Sequence, residues 1–345
     1  MSIGTESLPS YYAIELGHAA HRLVTEVRPV QPGQQVLITG DTQSDMRVIE
    51  AVAGAVMAAG GIPTVVWYAT LPQPMMNPPV PAAAAMAAAE VWIDFSVAYQ
   101  LYSPAYNEAI RNRCVYVCLT GMDVDMLVRT IGKAPYAPMK AMAEWLYSRS
   151  QAAKKVHVTN PAGTDLWMEI DLAGDPFWEP PSPDIGFSQM LGGQSGLWAY
   201  RESYEGSLVF DGCIWPPAEI GILQAPVHLT IEKGYIKKIE GGYQADLFAN
   251  YLEEAHNPLA YLMEHTCYGF NPGVTRPSGR ILEDERVFGC MQFGIGAYPL
   301  GSPVHTDGVC LNGSVWLDDE QIMDKGRYVH PELVELCRQM GVSGY

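Results

Sequence analysis

The chain has 345 residues, a formal net charge of −17 and a hydrophobic fraction of 48%. These values are those of a folded globular protein long enough for two domains, and they exclude a disordered chain. Nucleic acids and anionic membranes bind basic surfaces, so the acidic balance argues against both as partners.

The cysteines and the apolar segments indicate a cytoplasmic protein. Seven cysteines are scattered without a CxxC pair, which is typical of reduced thiols. The N-terminal residues MSIGTESLPSYY lack the basic and then apolar pattern of a signal peptide. The most apolar region, Ala51 to Thr70, is interrupted by Gly60, Gly61 and Pro63, so it predicts a helix followed by a strand and not a membrane span.

Strands and helices alternate through the first part of the chain. Short apolar runs predict strands, and helical spacing predicts the helices between them; Ser44 is the predicted N-cap of the first of these. The predicted strands are Gln35–Thr39, Thr64–Tyr68, Val91–Ser96 and Val115–Thr120, and the helices are Ser44–Ala59, Ala82–Ala89, Pro104–Arg111 and Met139–Lys154. This order predicts an α/β domain over residues 1–154, an open parallel sheet with helices on both faces.

From Lys155 onward, apolar and polar residues alternate as they do in antiparallel strands. Val227–Ile231 and Tyr235–Ile239 flank Glu232-Lys-Gly234, which predicts a hairpin, and Asp246–Glu254 predicts a helix. Pro176–Pro183 is predicted to be a loop. Residues 155–345 therefore form a predicted antiparallel β (α+β) domain with few helices.

Two histidines and a carboxylate in this second domain indicate a metal site. His305 and Asp307 are two apart, so on an extended strand their side chains point to the same face, and His265 lies on a segment that predicts a neighbouring strand. Two imidazoles and one carboxylate are the facial triad of non-haem iron(II) oxygenases. The alternative is a hydrogen-bonded His-x-Asp pair at a strand end.

Several phrases in the second half, in one order, resemble the thermophilic aminopeptidase superfamily, the aminopeptidase T-like fold. They are the strand from Ser203 to Gly212, IEKGYIKKIEGG from Ile231, YGFNPG from Tyr268, ILEDERVFGCMQFGIG from Ile281 and HTDGV from His305. Aminopeptidases of that family have a glutamate where His265 stands, a histidine where Gln292 stands and a further glutamate near Ser195-Gly196. Without those ligands the bridging cage of a two-metal hydrolase is lost.

The remaining set, His265, His305 and Asp307, resembles the branch to which 2,5-dihydroxypyridine 5,6-dioxygenases belong. That resemblance implies an extradiol-type, ring-cleaving dioxygenase that binds Fe²⁺ through these three residues. A small hydroxylated aromatic, such as a dihydroxylated pyridine, and dioxygen would be its substrates. It also implies a homo-oligomer. The branch carries histidines where this chain has Tyr102 and near Gly192-Gly193, so the exact substrate stays open.

Further roles follow for side chains around the predicted triad. Tyr102 is the candidate group for proton transfer, and Tyr106, Trp198 and Tyr200 are candidates to wall an aromatic substrate. Glu283 or Glu285 is predicted to orient a ligand histidine.

Two alternatives to the dioxygenase remain. A mononuclear metallohydrolase of the aminopeptidase or amidase type could use zinc in the same triad, and a non-enzymatic family member could keep the fold for binding or assembly.

Overall fold

A computed structural model describes residues 12–170 and 186–345 of the chain, so the loop predicted at 176–183 lies wholly outside the described residues. Within them the helices are α1 (Ala13–Arg22), α2 (Met46–Ala58), α3 (Val80–Ala88), α4 (Pro104–Arg111), α5 (Val124–Leu127), α6 (Tyr136–Ala152), α7 (Tyr243–Glu254), α8 (Ile281–Asp284) and α9 (Pro331–Gln339). Short π-helical turns follow α1 (Leu23–Val27) and α5 (Val128–Gly132), and 3-10 turns cover Arg201–Ser203, Pro258–Tyr261 and Tyr298–Leu300. None of the helices in these ranges is long and apolar enough to cross a membrane.

The strands are numbered in chain order over the same residues. They are β1 (Gln35–Asp41), β2 (Ile62–Tyr68), β3 (Val91–Asp94), β4 (Val115–Cys118), β5 (Lys155–Thr159), β6 (Asp165–Glu169), β7 (Phe187–Met190), β8 (Gln194–Leu197), β9 (Glu205–Phe210), β10 (Cys213–Trp215), β11 (Gly221–Ile222), β12 (Val227–Glu232), β13 (Tyr235–Glu240), β14 (Met263–Gly269), β15 (Met291–Ile295), β16 (Thr306–Cys310), β17 (Ser314–Leu317), β18 (Glu320–Asp324) and β19 (Arg327–Tyr328).

The first unit is an α/β layer. Its strands lie in the order β2-β1-β3-β4-β7, and all four pairings are parallel. Leu37 and Ile38, consecutive in β1, are both buried, so both faces of the sheet are covered. Leu37 shares a core cluster with Met86 of α3, whereas Ile49 of α2 packs over Gly40, on the face of Ile38. The predicted parallel sheet with helices on both faces is confirmed.

The N-cap of α2 lies one residue after the predicted N-cap, Ser44. Asp45 is the N-cap, and its carboxylate accepts a hydrogen bond from the Arg47 backbone N–H at 3.1 Å. The Ser44 hydroxyl is used elsewhere, because it accepts from the Asp41 backbone N–H at 2.9 Å and donates to the Phe95 carbonyl at 3.0 Å. Ser44 therefore links the end of β1 by hydrogen bonds to the residue that follows β3.

The second unit contains two antiparallel sheets, as the alternating sequence predicts. One has eight strands in the order β13-β12-β9-β6-β5-β17-β18-β19, and the other has six in the order β11-β10-β16-β15-β14-β8. The predicted hairpin joins β12 and β13 through Lys233 and Gly234, which both have positive φ, at 50° and 75°. The six-stranded sheet carries the histidines and the carboxylate singled out in the sequence.

The predicted division at residue 154 differs from the two compact units that the contacts define. Among the described residues, one unit comprises 12–136 with 186–192 and the other 137–170 with 193–345. Nearly all of α6 belongs to the second unit because the Ser195 hydroxyl donates to the Ala143 carbonyl and the Ser150 hydroxyl bonds to that of Tyr268. The chain later returns to the first unit because β7 pairs with β4.

We expect the cysteines to be unreactive in the folded protein. All seven thiols are buried, and burial raises the pKa of Cys114, Cys310 and Cys337 to about 12. A thiol-specific chromogenic reagent at pH 8 should therefore label none of them rapidly in buffer and all seven in guanidinium chloride. A rapid stoichiometric reaction of one thiol in the native protein would contradict this expectation.

Candidate metal centre

Three neighbouring strands bring the candidate metal ligands to one place on the six-stranded sheet. In the antiparallel register His265 of β14 is opposite Gly294 of β15, and Gly294 is opposite Asp307 of β16. His265 and Asp307 therefore lie on one line across the sheet, with a glycine between them.

The side chain of His265 crosses that glycine. A Cβ atom at Gly294 would lie within 2.9 Å of His265 Nε2 and closer still to Cε1 and Nδ1, so only glycine leaves space for the ring. The imidazole thus lies over the β15 backbone, and its Nε2 is 3.5 Å from Asp307 Oδ1.

His305, the residue just before β16, completes the group. Its Nε2 is 3.4 Å from Asp307 Oδ1, and its ring lies 5.3 Å from that of His265, with an angle of 24° between the planes. The structure therefore brings His265, His305 and Asp307 together, with one nitrogen of each imidazole facing the same carboxylate oxygen.

The group has a fourth member, Glu264, which is absent from the ligands predicted from the sequence. A β-bulge lies between Met263 and His265, so Glu264 is an extra residue in β14, and two consecutive side chains reach the same site. Glu264 Oε2 is 2.9 Å from His305 Nδ1 and 3.5 Å from His265 Nδ1. Regular alternation predicts opposite faces for residues 264 and 265, so strand periodicity carries no signal for this carboxylate.

Glu264 also takes the position beside the imidazoles that we predicted for Glu283 or Glu285. With His265 and His305 it forms a cluster of potential metal ligands whose donor atoms all lie within 4.8 Å of one another. Each imidazole thus has a carboxylate at both nitrogens, Asp307 on the Nε2 side and Glu264 on the Nδ1 side.

The four groups shift one another's pKa values strongly. Burial lowers the pKa of His265, but its hydrogen bonds to Asp307 and Glu264 outweigh burial and raise the pKa to about 9. The pKa of His305 also lies well above its usual value, because the same two carboxylates outweigh burial. Burial raises the pKa of the Glu264 and Asp307 carboxyl groups. The two imidazoles lower both pKa values by more than burial raises them, so both carboxyl groups are ionised. The cluster is built around two negative charges, which suits a cation.

Gln292 occupies the position where the aminopeptidases have a metal-binding histidine. Its amide nitrogen lies 3.1 Å from His265 Nε2 and also donates to Asp307 Oδ1 in a short hydrogen bond. Gln194 donates to Glu285 at 3.0 Å and to the Gln292 amide oxygen at 3.5 Å. Glu285, whose pKa burial and the charge of Asp307 raise to about 7, is therefore joined to the site through two amides.

The predicted aromatic residues of the second unit differ in their surroundings. Trp198 is 40% exposed, and its ring centroid lies 6.4 Å from that of His265, so it stands beside the cluster. The Tyr200 hydroxyl donates to Glu202 at 3.2 Å, and its backbone N–H donates to the Glu169 carbonyl. A substrate role for either residue stays a prediction.

The other two predicted aromatic residues belong to the first unit. The Tyr106 hydroxyl lies 2.6 Å from that of Ser188, and its ring packs edge-on against Tyr116. Tyr102 is 40% exposed and adopts a left-handed backbone conformation with φ of 67°. Their roles in catalysis and substrate binding stay predictions.

The fold is similar to those of two solved proteins. The structure of 2,5-dihydroxypyridine dioxygenase from Pseudomonas putida KT2440 matches with a TM-score of 0.75 at 21% identity, covering 93% of this chain and 98% of that one. Wild-type AmpT from Thermus thermophilus matches with a TM-score of 0.67 at 14% identity, covering 92% of this chain and all of that one. At these identities the similarity establishes the fold alone, and it confirms the predicted aminopeptidase T-like architecture.

The sequence itself is related to the same dioxygenase. A curated 2,5-dihydroxypyridine 5,6-dioxygenase of Pseudomonas putida strain KT2440 is 26% identical over 201 residues, which cover 52% of this chain and 55% of that protein. The match thus spans about half the length of the curated relative. The sequence profile of the NicX family, 2,5-dihydroxypyridine 5,6-dioxygenase, matches residues 18–330, which is most of the chain. The chain therefore belongs to the 2,5-dihydroxypyridine 5,6-dioxygenase family.

Proposed function

We propose that this protein is an extradiol-type, ring-cleaving dioxygenase that acts on a dihydroxylated pyridine or a similar hydroxylated aromatic. Fe²⁺ would be held by His265, His305 and Asp307. The observation that carries the proposal is the approach of both histidine Nε2 atoms to one oxygen of Asp307, at 3.5 and 3.4 Å.

The donor set fits ferrous iron. Two imidazole nitrogens and one carboxylate oxygen, supplied from one face, are the ligands of mononuclear non-haem iron(II) oxygenases and leave further positions for exchangeable ligands. The ligand side chains are 13–20% exposed, so the cluster lies within reach of small molecules. Gln292, where a two-metal hydrolase would have another histidine, already bonds to two of the three ligands.

Bound iron would supply a template and an electron path between a chelated ring and dioxygen. The chain's own residues do the rest. Gln292 holds the Asp307 carboxylate in place through its amide N–H, and Trp198 offers an aromatic face 6.4 Å from His265 against which a flat ring can pack. Tyr102 is the proposed proton-transfer group, with Tyr106 and Tyr200 as further proposed contacts to the ring.

The same proposal includes a cytoplasmic homo-oligomer. Seven buried free thiols fit a reducing compartment, and the family resemblance is the ground for the assembly. Light scattering coupled to size exclusion measures the subunit number directly.

The activity is tested by oxygen consumption. Protein purified without oxygen and loaded with Fe²⁺ should bind about one iron per chain and consume dioxygen with 2,5-dihydroxypyridine or a close dihydroxylated analogue. The same protein loaded with Zn²⁺ is the control and should consume none. Peptide or amide cleavage by the zinc form, with no oxygen uptake on any ring compound, would replace the proposal by the metallohydrolase.

A further inference from the structure

The position of the proton on the His305 ring follows from two oxygen atoms that lie close to one of its nitrogens. Its Nδ1 lies 2.9 Å from Glu264 Oε2 and 3.2 Å from the Gly296 carbonyl oxygen. A carbonyl oxygen accepts hydrogen bonds and donates none, so Nδ1 is the nitrogen that keeps its proton when the imidazole is neutral. Neutral His305 therefore presents the lone pair of Nε2 to the side where Asp307 lies.

The proton of His265 is assigned from the other nitrogen. Its Nε2 lies 3.1 Å from the Gln292 amide nitrogen, which also donates to the Asp307 carboxylate. Because a carboxylate only accepts, the contact with Asp307 fixes which end of the Gln292 amide faces the site. In the neutral form of His265 that binds a metal, the Gln292 amide N–H thus faces Nε2, and the remaining imidazole proton is on Nδ1, which faces Glu264 at 3.5 Å.

We propose that Glu264 is a positioning residue that holds both ligand imidazoles in the Nδ1–H form through one carboxylate, so that both Nε2 lone pairs point to the metal. The inference rests on the proposed metal site at His265, His305 and Asp307. Carboxylates that accept the second N–H of a metal-bound histidine fix its tautomer and its ring orientation. Here the β-bulge allows one carboxylate to serve two histidines.

The placement of Glu264 also sets the charge of the centre. With a divalent ion, Asp307 alone would leave a formal charge of +1, and Glu264 brings the total to neutrality. Its side chain is only 8% exposed, so water screens this charge weakly. Glu264 should therefore strengthen metal binding through both orientation and charge.

The test replaces Glu264 by glutamine in the full-length protein and measures Co²⁺ binding. Co²⁺ is the probe because its visible absorption reports the ligand geometry, and a competing chelator gives the dissociation constant. We expect Glu264→Gln to bind Co²⁺ about 10- to 100-fold more weakly and with an altered spectrum. Glu264→Asp, which keeps the carboxylate, should recover part of the affinity.

Asp211→Asn is the matched control because it makes the same carboxylate-to-amide change at a half-buried residue of the same unit, whose carboxylate accepts a hydrogen bond from the Leu311 backbone N–H at 2.7 Å and lies outside the cluster. We expect it to bind Co²⁺ like the parent protein. An equal loss in Asp211→Asn, or no loss in Glu264→Gln, would overturn the positioning role. Far-ultraviolet circular dichroism of each metal-free variant verifies that it is folded.

Two further outcomes separate this inference from the proposed function. If Glu264→Gln removes Co²⁺ binding as completely as His305→Ala does, Glu264 is itself a ligand and the positioning role is wrong. If Asp307→Asn and His305→Ala leave Co²⁺ binding unchanged, the proposed metal site fails, and the role of Glu264 fails with it.

Discussion

Replacement of Gly294 by alanine is expected to abolish function while the protein remains folded. The new methyl group would occupy the space of the His265 imidazole, within 2.9 Å of Nε2 and closer to two other ring atoms. The ring must then leave its line to Asp307, because the β15 backbone is held by strands on both sides. A displacement of about 1 Å among groups that position the reactants can cost about 100-fold in rate, and we expect at least that loss of turnover.

The measurement for Gly294→Ala is the Co²⁺ dissociation constant together with iron-dependent oxygen uptake. Gly196→Ala is the matched control for metal affinity because it lies in the same sheet and an added Cβ would make only ordinary contacts with Trp198, at 3.5 Å and beyond. The control should bind Co²⁺ like the parent protein. Normal affinity in Gly294→Ala would show that His265 is not a ligand in the position described.

His265→Ala and His305→Ala are each expected to eliminate the stabilisation that bound metal provides. A ligand present at 100 times its dissociation constant raises the free energy of unfolding by about 2.7 kcal/mol. Removing one of three protein ligands abolishes tight binding, so thermal melting of either variant should be the same with metal and with chelator. Asp307→Asn should give the same result as the two histidine variants, because it replaces the carboxylate that both imidazoles approach by a neutral amide.

The control for these substitutions is His228→Ala, which removes an exposed imidazole of β12 outside the cluster. Metal should raise its melting temperature as much as that of the parent protein. A full metal-induced shift in His305→Ala would exclude His305 from the ligand set and with it the three-residue centre.

Local sequence signals predicted most of the elements correctly. Pro104–Arg111 was predicted and found with the same bounds, because Ser103 caps the helix and proline occupies its first position. The β12–β13 hairpin was equally accessible, since Lys233-Gly234 fits a tight turn with positive φ at both residues. In each case the determining interactions lie within a few residues of one another.

Pairings between segments that are distant in the chain could not be predicted from the sequence in this way. Helix α6 follows the α/β layer in the chain, yet hydrogen bonds from Ser150 to Tyr268 and from Ser195 to Ala143 tie it to the second unit. Strand β7 is a short segment after a long excursion, and its pairing with β4 depends on tertiary contacts. A single domain boundary at residue 154 is compatible with neither of these features.

The candidate site was predicted in part for the same reason. The two-residue spacing of His305 and Asp307 is local and placed both on one face, where the structure has them. The contributions of Glu264 and Gly294 depend on a bulge and on cross-strand register, which no spacing in the sequence encodes. The metal-ligand role of the triad stays a prediction until metal is measured.

The β-bulge at Glu264 has a consequence for how such a centre can change over generations. Met263 is opposite Ile295 and His265 is opposite Gly294, so the flanking pairs are those of a regular ladder with one residue added. Deletion of that single codon would restore an unbroken ladder and leave both neighbours with their partners. A carboxylate behind the histidines can thus be gained or lost by one insertion or deletion, without any residue in the rest of the strand exchanging the interior for the surface.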